Sequence, residues 1–285
     1  MKKIMIVGNS HSVDTFQLLR EVFLSQEPER ELTIGYMYYS GCSISQHIDF
    51  GTNDKPVYRY CKNIDGKWIR QEEATLAASL ADEPWDLIFL QAAKSDLTDD
   101  LNLEGRRTLE AFIDKYVPTP HEFAWHTSWP SPDDDTFFAP DYVRQPPKTY
   151  KERLTNLYGF NQVNQFTVLT NQAKKNILPD NKYVLKVCTG AAIMYARRVM
   201  GVSKLNIWRD YTHLSDFGRL ISAYAMYVHL TGKPITDVKM DIVPTTLRYL
   251  RYKPLGDLKI TEGMKQVILE SANHSLEDPW TVPGE

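Results

Sequence analysis

Ile4-Met5-Ile6-Val7-Gly8-Asn9-Ser10-His11-Ser12 opens the chain with an apolar run, a small polar turn and the first residues of a helix-like pattern. The apolar run reads as a buried strand, and apolar spacing of three and four residues begins at Ser12. Ser10 is therefore placed on a strand-to-helix turn, where a fold can expose a nucleophile. The pattern recurs along the chain. Strands are predicted at Ile4–Val7, Leu32–Tyr38, Leu87–Gln91, Phe123–His126 and Tyr183–Val187, each bounded by polar or turn residues. Helices are predicted at Ser12–Gln26, Glu72–Ala81, Leu103–Tyr116, Tyr150–Asn176, Ala191–Met200, Asp216–Leu230 and Thr261–Ala272. Strand alternating with helix implies a three-layer α/β/α sandwich around a flavodoxin-like, mostly parallel sheet of about five strands.

Two stretches depart from that rhythm. Between residues 55 and 70, Asp65-Gly66 is a turn signal flanked by β-formers and predicts a β-hairpin inserted between the second strand and the next helix,. Such an insertion shapes a cleft or an oligomer contact. Residues 130–148 hold five prolines and the acidic run Asp133-Asp134-Asp135, which predicts an irregular surface loop. No repeat, low-complexity tract or clean linker divides the chain. A single domain over 1–285 is expected, with a C-terminal extension at about 235–285.

A chain of 285 residues lies near the upper end of what one core serves,. Its 33 basic and 36 acidic residues leave a net charge of -3, with no large field for nucleic acid or an anionic membrane,. Cys42, Cys61 and Cys188 show no C-x-x-C pairing, which argues against disulfides and structural zinc,. Neither His121 with His126 nor Asp133 to Asp135 has a metal-ligand spacing, so no metal or other cofactor is expected. The first strand follows Met1-Lys2-Lys3 at once, and no run reaches 18 apolar residues,. A cytoplasmic protein is expected, unless an export signal has been removed. The composition is compatible with a homo-oligomer.

Near the other end stands Asp210-Tyr211-Thr212-His213-Leu214-Ser215. A serine hydroxyl is a weak nucleophile at neutral pH and needs a hydrogen-bonded base, itself held in one tautomer by a third group. A carboxylate three residues before a histidine on a tight loop can meet one ring nitrogen and leave the other for Ser10. Both segments also admit a plainer reading, because Ser10, Ser12 and Ser215 are ordinary helix caps. Gly41 can simply close a turn, and Gln91 can be a buried amide satisfied by backbone.

Gly8-Asn9-Ser10-His11-Ser12, Ser40-Gly41-Cys42-Ser43, Leu90-Gln91 and Asp210-x-x-His213 before a long helix fall in an order that resembles the SGNH, or GDSL-type, hydrolase superfamily, closest to a poorly characterised bacterial branch. The resemblance covers Ile4 to about Leu230. It implies Ser10 as nucleophile, His213 as base and Asp210 as its orienter, with oxyanion donors at the Ser10 and Gly41 backbone and at Gln91, which replaces the superfamily's asparagine. The implied reaction is hydrolysis of an acyl ester, an O-acetyl group on a carbohydrate or other small molecule, through an acyl-enzyme on Ser10. His11, His126 and Trp129 are expected to line the substrate cleft, because strand ends of an open parallel sheet carry the ligand crevice. Two other readings stand beside it. One is a non-catalytic or acyl-transferring relative that binds a glycan or nucleotide in the same crevice. The other is a doubly wound domain whose Gly8–Ser12 turn holds an anion at a helix N-terminus.

Overall fold

A computed structural model describes residues 2–64, 66–93, 103–132, 152, 155–156, 159, 161–247 and 256–284. The chain divides into two compact units, Met1–Phe16 with Glu27–Thr127 and Gln172–Val187, and Gln17–Gln26 with Ser128–Asn171 and Cys188–Glu285.

The first unit is built on the sheet. Its strands are β1 (Lys2–Gly8), β2 (Leu32–Tyr38), β3 (Tyr58–Ile64), β4 (Lys67–Ala74), β5 (Leu87–Leu90), β6 (Glu122–Thr127) and β7 (Tyr183–Cys188), in the order β4-β3-β2-β1-β5-β6-β7. β1 runs parallel to both β2 and β5, and β5 runs parallel to β6. Ile4, Met5, Ile6 and Val7 are all buried, as a strand in the middle of a parallel sheet requires,. The five predicted strands take the order 2-1-3-4-5 of a flavodoxin-like sheet, and the chain reverses its winding at β1,. The chain is an α/β protein with a mostly parallel sheet, as the sequence implies, and the sheet has seven strands where about five are expected.

The hairpin is part of that sheet. β3 and β4 pair antiparallel with each other, and β3 pairs antiparallel with β2, which raises the strand number to seven. Asp65 of its turn lies outside the described residues. β4 continues to Ala74, so the helix predicted from Glu72 starts only at Leu76, where Thr75 caps α3 (Leu76–Ala81) by accepting from the Ala78 N–H at 3.3 Å,. A helix absent from the sequence expectations, α2 (Ile44–Thr52), precedes the hairpin. Its capping box joins Ser43 and Gln46, each side chain bonded to the other's backbone,. α2 meets α4 (Leu103–Tyr116), and Gly51 allows the contact, because a Cβ there would stand 2.9 Å from the Phe112 ring.

α1 (Ser10–Gln26) starts in the first unit and ends in the second, while α5 (Gln162–Asn176) starts in the second and ends in the first. The second unit also holds α6 (Thr189–Arg198), the short α7 (Lys204–Ile207), α8 (Asp216–Thr231) and α9 (Glu262–Glu277), and α6, α8 and α9 pack on one another. His229 of α8 lies 2.9 Å from the Ser275 carbonyl of α9, and burial pushes its pKa down to about 4,. Asn273 of α9 exchanges two hydrogen bonds with the Ile235 backbone, at 2.8 and 2.9 Å. The C-terminal extension is thus tied into the helical core. The loop expected at 130–148 lies outside the described residues from 133 onward, as does most of the stretch 150–160.

Candidate active site

Ser10 is the first residue of α1, immediately beyond the end of β1 and the reversal point of the sheet. The helix starts there because Asn9 caps it: its side-chain Oδ1 accepts from the His11 N–H at 3.1 Å and its carbonyl accepts from Ser12 N–H at 3.1 Å,. Ser10 is half-buried between buried Asn9 and His11. The Ser10 N–H has no acceptor among the described residues, as expected for the first turn of a helix,.

Gly41, beyond the end of β2, has φ +64°, a conformation that an L side chain rarely adopts,. It is exposed, and a Cβ there would meet nothing within 4 Å, so the glycine is required by backbone shape and not by crowding. Asn9 ties this turn to the serine turn through Nδ2, which donates to the Cys42 carbonyl at 3.3 Å. Gln91, beyond the end of β5, is 2 % exposed. Its Oε1 accepts from the Asn9 N–H at 3.3 Å and from Ser12 Oγ at 3.0 Å, and its Nε2 donates to the Ala92 carbonyl. Gly8 leaves room for this amide, since a Cβ there would overlap Ser12 Oγ.

In the second unit the Asp210 carboxylate contacts His213 Nδ1 at 2.8 Å through Oδ2 and at 3.0 Å through Oδ1. Oδ1 also accepts from the Thr212 and His213 N–H groups at 2.9 and 2.8 Å. Burial pushes the Asp210 pKa up, but the His213 hydrogen bond and charge and the two backbone donors outweigh it and hold the pKa at about 2,. The carboxylate is therefore ionised and keeps the ring proton on Nδ1, which gives Nε2 the lone pair of a base. The loop is pinned at both ends. Trp208 and Leu214 form an antiparallel bridge, and Arg209 N–H donates to the His213 carbonyl at 3.0 Å. Ser215 caps α8 by accepting from Gly218 N–H at 3.1 Å. Trp129 Nε1 donates to the Thr212 carbonyl at 2.9 Å.

The first unit thus brings together Ser10, Gly41 and Gln91 around Asn9, and the second brings together Asp210 and His213. The residues expected to line the cleft are all buried. His126 and Trp129 are 1 % and 0 % exposed, and His11 is 5 % exposed. The His126 ring packs edge-on against Phe16 at 6.2 Å between centroids, a core contact. Trp129 supports the loop that carries His213 through its N–H. His121 lies 3.0 Å from Asp114, while Asp133 to Asp135 lie outside the described residues. Sequence reading missed Asn9 and Ser12 as organisers of the turn. Asn9 carries a cap signal, whereas nothing in the sequence marks the Ser12 contact with Gln91.

Residues 3–247 match the pattern of a family described as a domain of unknown function, DUF4886. The chain belongs to the DUF4886 family. The DUF4886 match includes both halves of the candidate site and ends before α9. The crystal structure of a DUF4886 family protein from Bacteroides uniformis ATCC 8492 is similar over 99 % of this chain and 96 % of that one, at 23 % identity and a TM-score of 0.74, so the two share a fold. A catalytic mutant of an acetylxylan esterase from Geobacillus stearothermophilus aligns with 80 % of this chain and 94 % of its own, at 12 % identity and a TM-score of 0.44. An alpha/beta hydrolase enzyme from the metagenome of Lake Arreo, Spain, aligns with 81 % of this chain and 95 % of its own, at 14 % identity and a TM-score of 0.43. Likeness at that level says nothing about the reaction. No curated protein matches the chain. Among the described residues, no helix is long and apolar enough to cross a membrane.

Proposed function

We propose that this DUF4886 protein is a serine esterase. The observation that supports it most is the Asp210–His213 pair: an ionised, largely buried carboxylate 2.8 Å from Nδ1 prepares the ring to act as a base at Nε2. Ser10, on a turn at the start of α1 with a backbone N–H that has no acceptor among the described residues, is the nucleophile that such a base serves.

In this reading Ser10 Oγ attacks the ester carbonyl while His213 Nε2 takes its proton. The negative charge on the carbonyl oxygen meets the Ser10 and Gly41 N–H groups. Collapse breaks the bond to the alcohol, which leaves with the proton returned by His213. Water, deprotonated by the same nitrogen, then releases the acid and restores Ser10. Asp210 keeps its charge throughout and offsets the positive charge on the ring. The chemistry needs no metal or organic cofactor.

The motif resemblance to SGNH hydrolases supports a short acyl ester, such as an O-acetyl group on a carbohydrate. The buried placement of His126 and Trp129 withdraws the aromatic support for a sugar ring.

Exposure to a fluorophosphonate followed by intact-mass analysis tests the nucleophile. The expected result is one adduct per chain, mapped to Ser10 and absent from Ser10→Ala. An adduct on another residue, or equal labelling of the variant, would refute the assignment.

A further inference from the structure

The Gln91 amide is turned inward, and both of its ends are occupied. An Asn9 N–H can only donate, so the atom facing it must be the amide oxygen. The Ala92 carbonyl can only accept, so the atom facing it must be the amide nitrogen,. The same reasoning fixes Asn9, whose Oδ1 faces the His11 N–H and whose Nδ2 faces the Cys42 carbonyl. These bonds form one chain across three adjacent strand ends, from Gln91 after β5, through Asn9 after β1, to the Gly41–Cys42 turn after β2. Ser12 Oγ supplies a second donor to Gln91 Oε1 at 3.0 Å.

We propose that Gln91 is a positioning residue and not an oxyanion donor: with Ser12 it fixes the Asn9–Ser10 turn, and Asn9 fixes the Gly41–Cys42 turn. The oxyanion hole then consists of main-chain N–H groups alone, with a side-chain clamp beneath them setting the relative placement of the Ser10 and Gly41 donors. This rests on the serine-esterase reading for its catalytic meaning, but the clamp itself is a statement about backbone order. It explains a long amide in this position. A donor must reach outward to substrate, whereas this amide must reach back beneath Gly8, which has no side chain in the way.

Amide hydrogen exchange in the peptide spanning Asn9–Ser12 tests the clamp independently of any activity. Gln91→Met, which keeps the side chain's length and removes both polar ends, should speed exchange there roughly tenfold, the effect of about one lost hydrogen bond, with exchange in α9 unchanged. Unchanged exchange at Asn9 would overturn the proposal. The catalytic part is read from p-nitrophenyl acetate turnover in a double-mutant cycle. Ser12→Ala should lower kcat several-fold at constant KM, and Ser12→Ala with Gln91→Met should be no slower than Gln91→Met alone, because both changes break one link. A wild-type rate in Ser12→Ala beside a loss on the order of a hundredfold in Gln91→Met is the signature of a direct donor and would refute it. If Gln91→Met does not fold, Asn9→Asp serves instead. It keeps the acceptor for His11 and loses the donor to Cys42, so kcat should fall at constant KM, and an unchanged kcat counts against the clamp. Full turnover by Ser10→Ala would sink the esterase reading separately and leave the exchange result to judge the clamp.

Discussion

Asp210 holds His213 by side chain and backbone at once, with Oδ2 2.8 Å from Nδ1 and Oδ1 2.8 Å from the His213 N–H. One short loop therefore fixes the position, tautomer and charge partner of the ring. Position comes from the backbone bond, and tautomer from the ring bond. Charge compensation follows from an ionised carboxylate that is only 7 % exposed.

Asp210→Asn preserves the shape of the side chain but lets an amide NH2 face Nδ1, which moves the ring proton to Nε2. The expected result is a fall in kcat of roughly four orders of magnitude, with KM little changed, in steady-state hydrolysis of p-nitrophenyl acetate. A loss confined to KM would mean that Asp210 acts in binding only.

The depressed pKa of Asp210 also has a stability consequence. Its folded value of about 2 lies below the ordinary 3.8, so the unfolded chain takes up the proton first as pH falls. The group's contribution, about 2 kcal/mol, is complete above the unfolded value and is lost as pH drops through the folded one. Urea midpoints measured between pH 5 and pH 2 should fall less steeply in Asp210→Asn than in the wild type. Identical slopes would show that the carboxylate is not held down in the folded protein.

Trp129→Phe retains an aromatic ring in the core and removes the N–H that supports Thr212. Loss of the donor to this partly buried carbonyl costs about 1 kcal/mol,, here within the loop that orients His213. Turnover should fall while the circular dichroism spectrum is unchanged. Unchanged turnover would show that the loop is held without this bond.

Gly218→Ala places a methyl group against the Ile207 carbonyl and the Leu214 side chain, with backbone on one side and core on the other. Neither can yield without moving the loop from Ile207 to Ser215. The variant should lose about 1–3 kcal/mol of stability by overpacking and lose esterase activity at temperatures where it is still folded. Thermal melts alongside activity assays check both.

The sheet was legible because its signal is local. Runs such as Ile4–Val7 and Leu32–Tyr38 are apolar enough to be strands in the middle of a sheet whatever surrounds them. The hairpin's pairing was legible from its turn and β-formers, but its membership of the sheet was not, because edge pairing with β2 depends on contacts that composition does not encode. α2 is not predicted by apolar spacing although Ser43-x-x-Gln46 is a capping-box signal, because nine residues carry only a short apolar face,. Of the site, Asp210-x-x-His213 could be read because three residues of spacing close the ring contact on their own. The role of Trp129 could not, because an exposed platform and a buried support call for the same residue type. Gln91 reads from sequence as an amide at a strand end, but the direction it faces is set by Gly8, Asn9 and Ser12 together.

Turnover of p-nitrophenyl acetate by Ser10→Ala, side by side with the wild type under the same conditions, tests the central claim most directly. A serine esterase loses on the order of a million-fold in kcat when its nucleophile is removed, so the variant should be indistinguishable from buffer while its fold and thermal stability are retained. Release of p-nitrophenol by folded Ser10→Ala at the wild-type rate would contradict the account.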